Sequence, residues 1–155
     1  MSSRSLADCS IEAAACAAEF ENQMRGAGIE YVRACTYRSN DEQAELYALG
    51  RTRPGLIRTH AMPGESLHNR TIDHMPAADA IDYYPLIAGK LAGDKTDQEI
   101  ALWEQIGIMG ETCGLTWGGR WPGKKIDRPH FEIHRKETKC NTSITSSANP
   151  QLTPV

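Results

Sequence analysis

Residues 78–85 have the sequence ADAIDYYP, which predicts a short β-strand that ends at Pro85. Farther along the chain, Thr96 and Glu99 form a possible capping box that opens a helix with the sequence TDQEIALWEQIGIMGETC. A turn rich in glycine and tryptophan, LTWGGRWPGKK, then leads to a last strand, HFEIH, at residues 130–134. The C-terminal half of the chain therefore places one helix between two short strands.

The residues before position 78 predict two more helices and one more strand. A run of helix formers at 10–25 predicts the first helix, and GIEYVRACTYRS at 28–39, which carries β-branched residues, predicts a strand. Ser39 and Glu42 form a second possible capping box, which opens the short helix DEQAELYAL. Residues 51–78 are loop-like, and a structureless connection of this length is typical of a functional segment. The pattern predicts a single α+β domain with a small, largely antiparallel sheet packed with helices.

Length and composition exclude several classes of protein. The chain has 155 residues, of which 40% are hydrophobic, enough for one domain with a single core. No uncharged apolar stretch approaches the roughly 18 residues of a membrane helix, and acids inside the apolar N-terminal part argue against a secretory signal. With 17 Lys and Arg against 20 Asp and Glu, the net charge is −3 and no basic stripe is visible. We therefore expect no membrane insertion and no nucleic-acid partner.

Cysteine usage argues against disulfides and against a thiolate zinc knuckle. The five cysteines are an odd number without a close CxxC pair: Cys9, Cys16, Cys35, Cys113 and Cys140. A disulfide framework or a zinc knuckle would need even numbers at tighter spacing. Cys9 and Cys16 lie seven residues apart in a helical stretch, which predicts that both face the core as reduced thiols. We expect the chemistry of this protein to come from other residues.

Histidines and acids occur together in two segments that could bind a metal ion. The candidates are His68, Asp79 and Asp82 in SLHNRTIDHMPAADAID, and Asp127 and His130 in DRPHFEIH. Two histidines and one carboxylate are sufficient for a catalytic zinc ion with an open fourth position, although manganese, cobalt or nickel also suits such ligands. A separate carboxylate must then move the proton of the attacking water. Asp127, three residues before His130, can approach that water without being a ligand.

Four motifs in this order resemble the zinc D-Ala-D-Ala carboxypeptidase and L-alanyl-D-glutamate endopeptidase family, peptidase family M15. They are TYRSNDEQAELYALGRT at 36–52, SLHN followed by AID, WGGRW, and DRPHFE. Within that family they resemble the peptidoglycan-cleaving endolysins of bacteriophages. The resemblance covers residues 10–135 and implies a zinc peptidase domain over 1–136 with a hedgehog/DD-peptidase-like fold. Residues 137–155, rich in Ser, Thr, Asn and Pro, are predicted to form a flexible tail.

The resemblance also implies a role for each motif residue. The family pattern is Ser-x-His, Ala-x-Asp and Asp/Glu-x-x-His, and it assigns one zinc ion to His68, Asp82 and His130. Asp127 would be the general base, and Arg38 of the Tyr-Arg-Ser motif would bind the scissile carbonyl oxygen and stabilise the oxyanion. Ser66 matches the family serine that contacts the substrate.

Asp79 competes with Asp82 as the third ligand. Asp82 follows His68 by fourteen residues, whereas the separation in many relatives is about seven, and Asp79 also completes an Ala-x-Asp match. The two acids are an odd number of residues apart, so in a strand they face opposite sides and only one reaches the metal. Asp82 is preferred because the strand-like IDYYP resembles the ligand strand of the family more closely.

Two tryptophans and one histidine near the predicted site have two interpretations each. Trp117 and Trp121 flank Gly118 and Gly119, and each either packs in the core or forms a wall of the substrate cleft. His134 shares a strand face with His130, so it is either a further ligand or an exposed side chain. We retain Trp117 as a candidate substrate contact and leave His134 outside the ligand set.

The family implies a phage-endolysin-like zinc metallopeptidase that cleaves the stem peptide of bacterial peptidoglycan. The expected bond is L-alanyl-D-glutamate, hydrolysed by a zinc-activated water with an aspartate general base. The alternatives are a D-Ala-D-Ala carboxypeptidase and a non-catalytic wall-binding module on the same fold. Such an enzyme would be a monomer, made in the host cytoplasm without a signal peptide. It would therefore need a separate membrane-permeabilising lysis protein to reach the wall.

Overall fold

Side-chain caps determine where the helices begin. The structure, a computed structural model, describes residues 2–134. Within them the chain forms three α-helices, α1 (Ile11–Gly26), α2 (Asn40–Ala48) and α3 (Asp97–Thr112). The Ser39 side chain accepts a hydrogen bond from the Glu42 backbone N–H, and the Glu42 carboxylate accepts one from the Ser39 backbone N–H. Thr96 and Glu99 form the same arrangement at α3, so both predicted capping boxes are present.

The strands form one antiparallel sheet and one separate hairpin. The strands of the described residues are β1 (Tyr31–Cys35), β2 (Thr71–Ile72), β3 (Met75–Pro76), β4 (Ala80–Ile87), β5 (Lys90–Leu91), β6 (Thr116–Trp117) and β7 (His130–Glu132). The sheet has the order β1-β4-β7-β6, β5 pairs with β4, and β2 pairs with β3 alone. The predicted α+β class with a small antiparallel sheet is therefore confirmed.

One face of the sheet packs against α1 and α3 and forms the core. Ile81 and Tyr83 of β4 and Phe131 of β7 are fully buried there. The Phe20 ring of α1 lies between the two aromatic rings, with centroids 5.3 Å from Tyr83 and 4.8 Å from Phe131. Because side chains alternate along a strand, Asp82 lies on the opposite face, away from the helices.

A glycine lets α3 approach the sheet closely. A Cβ atom at Gly110 would lie 2.5 Å from the ring of Phe131, which is fully buried. We expect Gly110→Ala to lower the melting temperature, because overpacking costs about 1–3 kcal/mol and exceeds the gain of about 1 kcal/mol in helix propensity. Gly26→Ala is the matched control, since nothing lies within 4 Å of its Cβ position. Thermal denaturation of both variants tests this, and an unchanged melting temperature for Gly110→Ala would contradict it.

The strand β4 continues past Pro85, contrary to the prediction that proline ends it. The Tyr83 N–H points toward β7 and donates to the Pro129 carbonyl. Pro85, two residues later, points its nitrogen to the same side, where the β4–β7 pairing has ended at Asp82 and His130 and Ala92, directly after β5, lies opposite instead. The Pro85 carbonyl accepts a hydrogen bond from the Ala92 N–H, so the strand remains paired here although proline supplies no N–H of its own.

The N-terminal cysteines do not share one helix face as predicted. Cys9 precedes α1 and is 8% exposed, whereas Cys16 lies within α1 and is only half-buried. The four cysteines of the described residues are free thiols. The fifth, Cys140, lies outside the described residues, as does the predicted tail 137–155. None of the helices within residues 2–134 has both the length and the apolar composition needed to cross a bilayer.

Candidate active site

Strand register brings the two His- and Asp-containing segments together. Asp82 of β4 pairs with His130 of β7 on one side and with Cys35 of β1 on the other. Residues directly opposite each other in a ladder share a face of the sheet. His68 comes from a 3-10 turn, Leu67–Asn69, at the end of the long loop. Three segments that are distant in sequence thus meet on the sheet face away from the helices.

Three side-chain atoms form a nearly equilateral triangle on this face. Asp82 Oδ1 lies 3.2 Å from His68 Nε2 and 3.3 Å from His130 Nδ1, and the two nitrogens are 3.3 Å apart. Ligand atoms held about 2.0–2.1 Å from a tetrahedral zinc ion lie about 3.3–3.4 Å from one another. The triangle therefore fits the three protein ligands of one zinc ion and leaves the fourth position open.

The other ring nitrogen of each histidine is held by an oxygen. His68 Nδ1 lies 2.6 Å from the Thr36 carbonyl oxygen, and His130 Nε2 lies 2.9 Å from Glu132 Oε2. Since these oxygens accept hydrogen bonds, the outer nitrogens carry the protons. In the neutral rings the lone pairs are then on His68 Nε2 and His130 Nδ1, the atoms of the triangle. Such outer partners are typical of metal-binding histidines.

The Asp82 carboxylate and the two histidine rings stabilise each other's charged forms. Burial disfavours the charged His68 ring, but the Asp82 carboxylate outweighs it and raises the pKa of His68 to about 10. Burial likewise opposes protonation of His130, but Asp82 and Glu132 raise its pKa to about 9. Although burial favours the neutral acid, the two facing histidines hold the pKa of Asp82 far below its usual range. Protons therefore compete with a metal ion for both rings.

Cys35 is a second potential ligand beside the triangle. Cys35, His68 and Asp82 each offer a ligand atom, and the three atoms lie within 4.8 Å of one another. However, Cys35 Sγ approaches His68 at Nδ1, 3.6 Å away, which is the nitrogen bonded to Thr36. His130 approaches the free nitrogen instead. The set of two histidines and Asp82 therefore fits a single ion better than the set with the thiol.

Asp79 and Asp82 have different partners. Asp79 lies just before β4, is 1% exposed and forms an ion pair with Arg70. Its backbone N–H donates to the Leu67 carbonyl oxygen, which ties the segment before β4 to the turn that carries His68. The structure thus brings Asp82, and not Asp79, next to the histidines.

Arg38 reaches the site from the segment between β1 and α2. Its Nη2 lies 3.8 Å from Asp82 Oδ2 and 3.5 Å from Cys35 Sγ, and its Nη1 donates to Gln43 Oε1 at 2.9 Å. Its Nε is buried and has no hydrogen-bond partner. Gln43 is fully buried and holds the guanidinium in place. Arg38 therefore keeps hydrogen-bond donors beside the triangle.

Asp127 stands at the edge of the site on a tight turn before β7. Its backbone N–H donates to the Gly118 carbonyl, and its own carbonyl accepts from the His130 N–H. A Cβ atom at Gly118 would lie 2.5 Å from the Asp127 carbonyl oxygen, so this close approach requires glycine. Asp127 is exposed to solvent. The surrounding protein and the Asp82 carboxylate nevertheless raise the pKa of Asp127.

The two predicted substrate contacts have internal roles. Ser66 caps the turn of His68, since its hydroxyl oxygen accepts a hydrogen bond from the His68 N–H at 3.3 Å. Trp117 is 3% exposed, its ring stacks on Phe131, and its Nε1 donates to the Arg128 carbonyl. Trp117 is therefore a core residue whose ring is not available to a substrate, which corrects its assignment as a substrate contact.

Trp121 is the tryptophan that faces the site. Its ring is half-buried and lies 5.1 Å from the His130 ring, measured between centroids. No local sequence signal separates it from Trp117, four residues earlier in the same turn. His134, which follows the end of β7, is exposed and its Nε2 lies 2.6 Å from Glu132 Oε1. It belongs to the surroundings of the triangle and not to the triangle itself.

Two family models match this chain. Three ligand atoms, an open fourth position and a separate carboxylate are typical of metal-dependent hydrolases. Both family models are described as D-alanyl-D-alanine carboxypeptidase, and they match residues 66–133 and 7–83. The chain belongs to this peptidase family, as its motifs predicted.

Individual relatives agree with the family assignment. The chain is similar to the peptidoglycan L-alanyl-D-glutamate endopeptidase CwlK of Bacillus subtilis strain 168, with 35% identity over 111 residues. That match covers 68% of this chain and spans 62% of the length of the relative. The crystal structure of Serratia marcescens L-Ala D-Glu endopeptidase ChiX is 19% identical with a TM-score of 0.55, covering 86% of this chain and 89% of that one. The LdcB LD-carboxypeptidase structure has the same TM-score of 0.55 and 19% identity, covering 81% and 58%. These two structures share the fold.

Proposed function

We propose that this protein is a zinc-dependent peptidase that hydrolyses the L-alanyl-D-glutamate bond in the stem peptide of peptidoglycan. The observation that carries the proposal is the triangle of His68, Asp82 and His130, whose sides measure 3.2–3.3 Å. Its spacing suits zinc, and the protons of both rings point away from it. The choice of bond is supported by the similarity to an endopeptidase of that specificity.

The chain supplies the ligands and the groups that orient them. His68 Nε2, His130 Nδ1 and Asp82 Oδ1 would hold the zinc ion, while Thr36 and Glu132 keep the two rings in the required tautomers. When bound, zinc supplies Lewis acidity that polarises a carbonyl group and acidifies water. Asp82 Oδ2 remains close to Arg38, so the ligand carboxylate also orients the arginine.

Asp127 acts as the general base and then as the general acid. Its carboxylate accepts a proton from the attacking water and passes it to the amine nitrogen of the departing D-glutamate residue. The pKa of Asp127 is raised toward neutral pH. A carboxyl group whose pKa is shifted in this direction is better suited to act first as base and then as acid. Its position outside the triangle leaves the carboxylate free for this role.

Arg38 stabilises the charge that develops on the carbonyl oxygen. Its guanidinium is held by Gln43 and Asp82, and its Nη2 lies beside the triangle. Donors fixed before the reaction stabilise an oxyanion without the cost of reorganisation. The half-buried ring of Trp121 lies beside the His130 ring, where it can contact the substrate.

Glu132 is expected to strengthen zinc binding by orienting His130. Because it accepts a hydrogen bond from His130 Nε2, we expect Glu132→Ala to weaken zinc affinity about 10- to 100-fold. His134→Ala is the matched control, since it removes the exposed partner of the same carboxylate and should leave zinc affinity close to that of the wild type. Competition with a chromogenic chelator measures both, and tight zinc binding by Glu132→Ala would contradict the orienting role.

Digestion of purified peptidoglycan, followed by mass spectrometry of the fragments, tests the proposed function. New N-terminal D-glutamate that disappears with a chelator and returns with zinc would support the proposal. Release of free D-alanine would favour the D-Ala-D-Ala carboxypeptidase instead. No cleavage by the folded, zinc-loaded protein would overturn both and leave the non-catalytic wall-binding module.

The endolysin role, the monomeric state and the need for a membrane-permeabilising partner stay predictions. They define a cellular test in which the chain is expressed in bacteria alone or together with a pore-forming lysis protein. Lysis only in the second case is expected for an enzyme that is made in the host cytoplasm and acts on the wall. Lysis by the chain alone would contradict the dependence on a partner.

A further inference from the structure

The side chain of Gln43 joins Arg38 to the long loop that precedes His68. Gln43 is fully buried on α2, and its Oε1 accepts a hydrogen bond from Arg38 Nη1 at 2.9 Å. Its Nε2 donates to Thr59 Oγ1 at 3.1 Å and to the Ala61 carbonyl at 2.8 Å. A guanidinium only donates and a carbonyl only accepts, so the amide oxygen has to face Arg38 and the amide nitrogen has to face the loop. One buried amide therefore links the arginine to the loop.

Asn69 forms a second link between the same two segments. It is 7% exposed, its Nδ2 donates to the Arg38 carbonyl at 2.7 Å, and its Oδ1 accepts from the Gly64 N–H at 3.2 Å. The Arg38 N–H donates to the His68 carbonyl at 3.0 Å. The return segment of the loop, residues 59–64, is thus tied by one amide to the side chain of Arg38 and by another to its backbone.

These hydrogen bonds matter for the loop because few of its side chains are buried. All residues of 51–58 are exposed, and within the return segment only Thr59 and Ala61 are partly buried. A segment with so little buried surface opens easily unless polar contacts hold it. The Thr59 hydroxyl also accepts from the Ala61 N–H at 3.2 Å. The return segment is therefore folded around the Gln43 amide, and this amide is one of its main anchors.

The contact with Gln43 also keeps Arg38 at a distance from Asp82. Arg38 Nη2 lies 3.8 Å from Asp82 Oδ2, whereas a charge-assisted hydrogen bond between such groups measures about 2.7–2.9 Å. A guanidinium free to move would be drawn to this carboxylate. Because Nη1 is held by Gln43, the guanidinium stops short of that hydrogen bond. Its donors then stay available to a carbonyl oxygen.

We propose that Gln43 is a positioning residue that keeps Arg38 in its working place only while the return segment is anchored to the Gln43 amide. The inference rests on the proposed function and deepens it, since it makes the long loop a control element of the arginine that stabilises the oxyanion. When the loop contacts are lost, the amide is free to turn and Arg38 moves toward Asp82. Arg38 acts on charge that develops in the transition state, so its displacement lowers kcat more than it changes KM.

Thr59→Val tests the loop side of this link, because it removes the hydroxyl that accepts from Gln43 and keeps the size and branching of the side chain. In the zinc-loaded variant, kcat on a synthetic stem peptide is expected to fall about three- to tenfold, the equivalent of one hydrogen bond. KM should change by less than about twofold. Thr59→Ser keeps the hydroxyl and should restore the wild-type kcat. Thr52→Val, at an exposed threonine of the same loop, is the matched control and should leave kcat unchanged.

Gln43→Met tests the amide itself, because methionine fills a similar volume without the hydrogen bonds. Its kcat should fall about 10- to 100-fold, as expected when a catalytic group is misplaced. Thermal denaturation shows whether this variant folds, and if it does not, the comparison of Thr59→Val with Thr59→Ser decides. A wild-type kcat in Thr59→Val, or in folded Gln43→Met, would overturn the link while the proposed function stands.

The NMR signal of the Arg38 Nε–H group in isotope-labelled protein reports on the arginine without any need for activity. A shift of this signal in Thr59→Val that is absent in Thr59→Ser and Thr52→Val would support the link, and an unmoved signal in Thr59→Val would overturn it. If the wild type cleaves no stem peptide, the proposed function fails, and this NMR comparison alone decides whether the loop positions Arg38.

Discussion

Asp127→Asn is expected to lower kcat/KM on stem peptides about 100- to 10,000-fold, the usual contribution of a general acid–base group. The substitution keeps the size of the side chain and removes its ability to accept a proton from water. Asp127 lies outside the triangle, so the variant should bind zinc as the wild type does. Steady-state kinetics on a synthetic peptide, together with the zinc content of the purified variant, measures both effects.

The control for this variant makes the same chemical change at another surface carboxylate. Asp94 is exposed, and its Oδ2 lies 3.4 Å from Nη1 of Arg128, the residue that follows Asp127. Asp94→Asn should retain wild-type kcat/KM. A wild-type rate in Asp127→Asn would show that another group moves the proton. A loss of zinc in that variant would assign Asp127 to metal binding.

Asp82→Asn is expected to weaken zinc binding by a factor on the order of 1,000 or more, because it removes one of three protein ligands and their only negative charge. Asp82 Oδ1 lies 3.2–3.3 Å from both ligand nitrogens. An uncharged amide oxygen is a much weaker ligand for zinc at the same position. Zinc titration against a competing chelator measures the affinity, and thermal denaturation with and without zinc measures the linked stability.

Asp79→Asn is the matched control, since Asp79 is the rival ligand in the sequence. Asp79 is buried and paired with Arg70, so this variant should have a lower melting temperature and keep its affinity for zinc. Zinc should therefore raise the melting temperature of the wild type and of Asp79→Asn, but not of Asp82→Asn. Zinc binding by Asp82→Asn together with its loss in Asp79→Asn would reverse the assignment of the third ligand.

Local features of the fold followed directly from the sequence. The capping boxes of Ser39 and Thr96 are present because each depends on residues within one helical turn. Pro85 was misjudged for the complementary reason. A proline removes one ladder donor, and β4 continues because the Pro85 carbonyl still accepts from Ala92 after β5, a tertiary contact that the local sequence does not show.

The candidate site could be predicted in part. The motif spacing named the histidines and acids, but it left Asp79 and Asp82 as rivals and did not separate Trp117 from Trp121. Both questions concern which side of the chain faces the core. The packing of Trp117 on Phe131 in the core answers one of them, and the pairing of Asp79 with Arg70 answers the other.

The sequence by itself determined the α+β class, the helix starts, the family and the residue types that surround the site. Only the tertiary structure decided that His68 and His130, 62 residues apart, lie 3.3 Å from each other with Asp82 between them. It also decided which ring nitrogen of each histidine faces inward, through Thr36 and Glu132. The physical reason is that helix caps and motifs depend on neighbours along the chain. Ligand geometry depends instead on the register between strands, where a slip of one residue would turn Asp82 to the opposite face.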